Sequence, residues 1–157
     1  MQGNPVFMEK AIALATENVT SGRGGPFAAV IVRDGEIVAT GANRVTATND
    51  PTAHGEIVAI RNACATLGSF QLSGCHIYTS CEPCPMCLAA IYWARCDAIF
   101  YGSSAADAAA AGFDDAFLYG EMNRPINQRK IPTVNLLSEK AISSFDAWRA
   151  QAARIDY

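Results

Sequence analysis

The stretch TSCEPCPMCLAA, residues 79–90, sets Cys81, Cys84 and Cys87 at C-x-x-C-x-x-C spacing. Proline is favoured in the first turn of a helix, where its missing N–H would have no partner anyway, so Pro83 and Pro85 predict a helix that opens near Pro83, inside the cluster, and runs to Arg95. Cys84 and Cys87 are then i and i+3 on one helix face and can share a metal ion. Cys81 precedes the helix, at the end of a strand. Thiolates near a helix N-terminus are stabilised by its dipole, which favours deprotonation and metal binding.

Outward from this cluster the chain alternates strands and helices. A strand at residues 76–80 leads into it, and another at 98–101 follows it. Upstream, apolar Phe7, Ala11, Leu14 and Ala15 recur at helical spacing between Val6 and Val19, and Gly22 with Gly24-Gly25-Pro26 ends that segment. Phe27 to Val32 reads as a buried strand; Asp34-Gly35 is a hairpin signal, and the second strand runs out near Asn43. A polar loop, TATNDP, precedes a helix from His54 to Leu67, stopped by Gly68. Past an Ala-rich segment at 105–111, VNLL (134–137) reads as a strand and residues 139–155 as a last helix. Single strands alternating with helices after an initial hairpin predict an α/β domain with a mixed sheet covered by helices.

The bulk composition bounds the function. At 157 residues, the chain has the size of one domain, and no internal repeat or linker divides it. No apolar run reaches the ~18 residues of a membrane span and no charged leader precedes one, so the expectation is a soluble, cytoplasmic protein with no membrane partner. The net charge is -3 and the basic residues are scattered, which disfavours a nucleic-acid partner, since lysine and arginine supply most of that affinity. The six cysteines, without a leader, point to metal or catalysis rather than to a disulfide framework.

Two sulfurs do not complete a tetrahedral site. Of the two histidines, His76 sits mid-strand in an apolar context, whereas His54 begins a helix after a polar turn. Two helix starts can converge at one sheet edge, so His54, Cys84 and Cys87 would give Zn²⁺ three ligands and leave a fourth position open for a water whose pKa falls to about 7. Glu56, two residues on, is placed to reach that water rather than the metal. Each piece has a bland reading: H-x-E alone is a weak pattern, and C-x-x-C on a helix is often structural. A closed structural zinc site would recruit Cys81 as a fourth ligand. An iron–sulfur run would continue with x₃-C-P, but the next cysteine, Cys96, is followed by Asp97.

Together, H54-G55-E56 and P83-C84-P85-M86-C87 match the H-x-E…P-C-x-x-C pattern of zinc deaminases acting on nucleobases. On these motifs, with GGPFAAVIV (24–32), NDPTAHGE (49–56), AGFDDAF (111–117) and the terminal Ile155-Asp156-Tyr157, the chain resembles the cytidine-deaminase-like superfamily and, more narrowly, its guanine deaminase members. The resemblance implies a three-layer α/β/α sandwich with a five-stranded mixed sheet. It implies a homodimer of single 1–157 domains whose tail, from about residue 140, exchanges between subunits. It also implies one Zn²⁺ per subunit, held by His54, Cys84 and Cys87 with a bound water, and Glu56 as proton shuttle. By the same resemblance, Asp115 would be the second proton-transfer candidate, Asn43 would bind the purine base through its amide, and Tyr157 would reach the partner's pocket. Phe27 and Trp93 are candidate walls for a flat base, although core aromatics look the same from sequence. The implied reaction is guanine to xanthine and ammonia. Deamination of cytosine, of a nucleoside or of adenosine on tRNA is the alternative within the same motif. One residue departs from the resemblance: the middle of H-x-E is usually Ala, and here it is Gly55, which costs a helix up to about 1 kcal/mol and predicts a less firmly held Glu56.

Overall fold

The computed structural model describes residues 2–113 and 115–157, which divide into two compact units, one ending at Asp115 and the other spanning Ala116–Tyr157.

In the first unit, helix α1 (Pro5–Thr20) starts where Asn4 Oδ1 accepts the Val6 N–H and Pro5 occupies the first turn. Strands β1 (Ala28–Arg33) and β2 (Glu36–Ala42) form the predicted hairpin. Its turn needs two left-handed residues, and Asp34 (φ 52°) with Gly35 (φ 79°) supplies them. A short helical turn, α2 (Val45–Thr48), precedes α3 (Gly55–Leu67), which Gly68 ends in the left-handed conformation. Then follow β3 (Cys75–Cys81), α4 (Pro85–Trp93), β4 (Ala98–Ser103) and α5 (Ala105–Ala110).

The sheet order is β2-β1-β3-β4, with β1 antiparallel to both neighbours and β3 parallel to β4. Alternate residues face opposite layers. Val30, Val32 and Tyr78 pack on α1 through Ala11, Phe7 and Met8. Ala29, Ile31, Cys75 and Ile77 pack against Ala59 and Ala63 of α3 and Ile91 of α4. Covered on both faces, β1 reads as the near-continuous apolar run AAVIV, and each fully buried Ile or Val contributes about 1.5–3 kcal/mol.

The second unit holds α6 (Ala116–Asn123), a 3₁₀ turn (Ile126–Gln128) and α7 (Ser138–Ala150), and none of its described residues is buried. Within it, Lys130 Nζ lies 5.3 Å from the Phe117 ring centre, and the Trp148 and Tyr157 rings meet edge to face at 6.3 Å. Two expectations are corrected. Among the described residues the sheet has four strands rather than five, because 134–137 is not a strand: Val134 and Leu136 are 81% and 79% exposed, and no described strand pairs with them. The metal-cluster helix begins at Pro85, after Cys84, rather than near Pro83.

Asn18, buried near the end of α1, ties the hairpin to the loop before it. Its amide Nδ2 donates to Gly25 O at 2.9 Å and to Asn43 O at 2.8 Å. A Cβ on Gly24 would fall 2.2 Å from Asn43 O, so only glycine permits that approach.

Candidate metal centre and cavity

His54 and Cys84 occupy equivalent places. Each is the N-cap of a helix, in extended conformation, so its side chain leaves the helix start while the next turn is already formed. Glu56 and Cys87 lie in those first turns, and both are buried. The ends of α3 and α4 meet beside the C-terminal end of β3, the usual place for a site in α/β sheets. His54 Nδ1 lies 3.6 Å from Cys84 Sγ and 3.5 Å from Cys87 Sγ, and among the described residues this is the one group whose ligand atoms all fall within 4.8 Å of one another.

Zinc bonds of about 2.0 Å to nitrogen and 2.3 Å to sulfur at a tetrahedral angle would separate N from S by about 3.5 Å. The triangle therefore fits zinc, and three ligands leave the fourth corner to something other than protein.

The charges agree. Cys84 is pulled down to about 4, first by the hydrogen bond from the Cys87 thiol and then by that from the His54 ring. Cys87, as the donor in that pair and buried, is pushed up. The same bond to Cys84 holds His54 above its ordinary value against burial. Burial pushes the Glu56 carboxyl up, opposed in part by a hydrogen bond with Cys87.

A cavity of about 60 Å³ opens on the cluster, with His54, Glu56, Cys84 and Cys81 on its floor. Phe27 and Asp115 also line it, as do Glu82, Ala108 and Phe113. The Phe27 and Phe113 rings meet at 4.8 Å and 85°, so two aromatic faces border the space. Asn43 is buried and is not among the lining residues: its N–H donates to O of Phe27, a wall residue, at 2.8 Å, and its Oδ1 accepts the Val45 N–H at 3.3 Å.

One predicted wall, Trp93, lies elsewhere. Trp93 ends α4, at the far end from Cys84, and is 62% exposed with the Arg95 guanidinium 5.6 Å from its ring centre; it does not line the cavity. Tyr157 belongs to the second unit and is 73% exposed. Sequence reading missed Glu82, Ala108 and Phe113; the GFDD segment that carries Asp115 was the available pointer to Phe113.

Gly55 has a cause the sequence hid. A Cβ there would lie 2.8 Å from Ala28 Cα, so the glycine lets the first turn of α3 sit directly on the backbone of β1. The helix start is backed by the sheet, which counters the loosening expected from its composition.

A profile for the "cytidine and deoxycytidylate deaminase zinc-binding region" matches residues 1–103. The guanine deaminase of Bacillus subtilis is 54% identical over 151 residues, covering 96% of this chain and 97% of that protein. Its crystal structure superposes with a TM-score of 0.96 at 52% identity, over 99% of both chains. The tRNA-specific adenosine deaminase of Agrobacterium fabrum is 47% identical, but over 50% of this chain and 51% of its own. A structure solved in complex with 2,6-diaminopurine matches at TM-score 0.65 and 33% identity, over 69% of this chain and 61% of that one. With a zinc-region profile over most of its length and an end-to-end relative at 54% identity, the chain belongs to the cytidine and deoxycytidylate deaminase family of zinc-binding proteins.

Proposed function

We infer that this protein is a zinc-dependent aminohydrolase converting guanine and water to xanthine and ammonia. The observation that carries this reading is the buried Glu56 carboxyl beside the His54–Cys84–Cys87 triangle, at the floor of an aromatic-walled cavity. The choice of guanine rests on the end-to-end likeness to a guanine deaminase.

One zinc per chain, held by His54 Nδ1 and the sulfurs of Cys84 and Cys87, would supply the Lewis acidity that makes a water nucleophilic near neutral pH. Glu56 is placed to take one proton from the attacking water as its oxygen bonds to the amino-bearing carbon, and to deliver that proton to the adjacent ring nitrogen. Burial raises its proton affinity, which suits a group that must hold the proton between the two transfers. As the C–N bond breaks, Asp115, on the cavity wall, passes the remaining proton of the added hydroxyl to the departing amine, which leaves as ammonia. The Asn43 amide binds the base edge, its Oδ1 also accepting the Val45 N–H. Phe27, joined by Phe113, flanks the ring plane.

The protein works as a homodimer whose tail, from about residue 140 to 157, crosses to the partner and brings Tyr157 to its pocket. Apolar Phe145, Trp148, Ile155 and Tyr157 are exposed on that tail. Among the described residues no helix is long and apolar enough to cross a membrane, and all six cysteines are free, which suits a reducing cytoplasm and a role in purine metabolism.

Guanine, guanosine, cytidine, cytosine and a tRNA anticodon stem-loop assayed side by side test the reading. Ammonia release from guanine is expected; turnover confined to the RNA would overturn it.

A further inference from the structure

Glu82 lines the cavity together with the candidate metal ligands His54 and Cys84, yet the proposed chemistry gives it no task. It follows β3 and precedes Cys84 by two residues. Its backbone N–H donates to Ser103 O at 2.8 Å, and its Oε2 accepts the N–H of Ala105, the first residue of α5, at 3.0 Å. Its neighbour Cys81 makes a weaker third contact, Sγ to Ser104 O at 3.7 Å.

Helix α5 needs such ties. It is six residues long and buries none of them, so neither length nor packing holds it. Its start is fixed by polar bonds. Ser104 and Asp107 form a capping box, in which Ser104 Oγ accepts the Asp107 N–H at 3.2 Å and Asp107 Oδ2 accepts the Ser104 N–H at 2.8 Å. The box leaves the Ala105 N–H, and Glu82 takes it from another element. Ala108 on this helix and Phe113 and Asp115 after it form one side of the cavity.

We propose that Glu82 is a positioning residue that fastens the metal-ligand loop to the start of α5, and thereby sets Phe113 and Asp115 over the cavity. It acts as a hydrogen-bond acceptor and not through its charge, since its partner is a backbone amide. The proposal rests on the deaminase reading of the same site for its kinetic consequence, but the tie itself does not depend on the substrate.

The test compares Glu82→Gln, which keeps a side-chain acceptor, with Glu82→Ala, which removes it. A second variant, Ser104→Ala, releases the same helix start from its other side. Glu82→Ala and Ser104→Ala are expected to lower kcat/KM for guanine by about tenfold, mainly through KM, with zinc per chain unchanged. Glu82→Gln is expected to stay within about threefold of the parent. Amide hydrogen exchange in the substrate-free protein should speed up across residues 105–113 in both alanine variants and not in Glu82→Gln. If Glu82→Gln is as impaired as Glu82→Ala while exchange is unchanged, the carboxylate acts on substrate directly and the proposal falls. Parent-like KM and exchange in Glu82→Ala would also overturn it. Should the parent release no ammonia from guanine, the function reading fails alone, and the exchange comparison still decides the tie.

Discussion

The same three elements carry cysteines at both ends, and the two ends behave oppositely. Where α3 and α4 begin and β3 finishes lie His54, Cys81, Cys84 and Cys87; where α3 and α4 finish and β3 begins lie Cys64, Cys75 and Cys96. The first group borders a cavity, and its Cys84 is pulled down to about 4 by the Cys87 thiol and the His54 ring. The second group is packed in the apolar cluster of Ile31, Ala63 and Ile77, where burial pushes Cys96 up to about 12 and Cys64 and Cys75 up as well. Helix N-termini present free N–H groups and positive potential, while the far ends present carbonyls. Position in the fold, rather than residue type, separates ligand from filler.

The comparison can be broken by exchanging what each end tolerates. Cys87→Ala should lose zinc and more than about 10³-fold of guanine turnover, because the three-ligand set is broken. Cys64→Ala at the other end should keep one zinc per chain and stay within about twofold in rate. A metal-free but active Cys87→Ala, or a zinc-free Cys64→Ala, would erase the distinction. Glu56→Gln should keep zinc, by metal analysis, and drop kcat by about 10²–10⁴-fold, the range of a lost general acid–base.

Core damage should act on stability instead. Ile77 is fully buried between the sheet and α3, and Ile77→Ala should cost about 2–5 kcal/mol in denaturant unfolding while the folded fraction retains its zinc. Thiol labelling sharpens the contrast at smaller scale. After chelation, Cys84 is a thiolate at pH 7 and should alkylate at least about tenfold faster than Cys96, which stays protonated until far higher pH. Equal rates would mean that the Cys87 thiol and the His54 ring do not hold Cys84 as a thiolate. Smallest of all, Cys81→Ser should leave zinc stoichiometry as it is, since Cys81 lines the cavity outside the ligand triangle.

Much of this was legible in the residue order where local chemistry is decisive. Asp34-Gly35 announced a turn that demands left-handed backbone, and the prolines around Cys84 marked a helix start to within two residues. His54 could be chosen over His76 because only one of them opens a helix. What failed depended on neighbours that local pattern does not reveal. VNLL has strand composition, but a strand exists only where another offers its edge, and residues 134–137 have none. Trp93 looked like a wall because an aromatic at helical spacing is the same letter whether it faces a cavity or solvent. Gly55 looked like a weakness until the sheet behind it was in view, 2.8 Å from where a methyl group would stand. Glu82 was hidden for a related reason: its partner, Ala105 N–H, is backbone and leaves no mark in the sequence.

Asn18 extends that lesson to the opposite layer. It lies in α1, across the sheet from the metal ligands, yet one amide group holds both Gly25 and Asn43. A genetic screen for altered substrate affinity would therefore be expected to return hits in the first helix, and a map drawn only from residues touching the base would file them as unexplained. On the proposed role of Asn43, the residues that tune substrate preference extend one layer beyond those that touch the base.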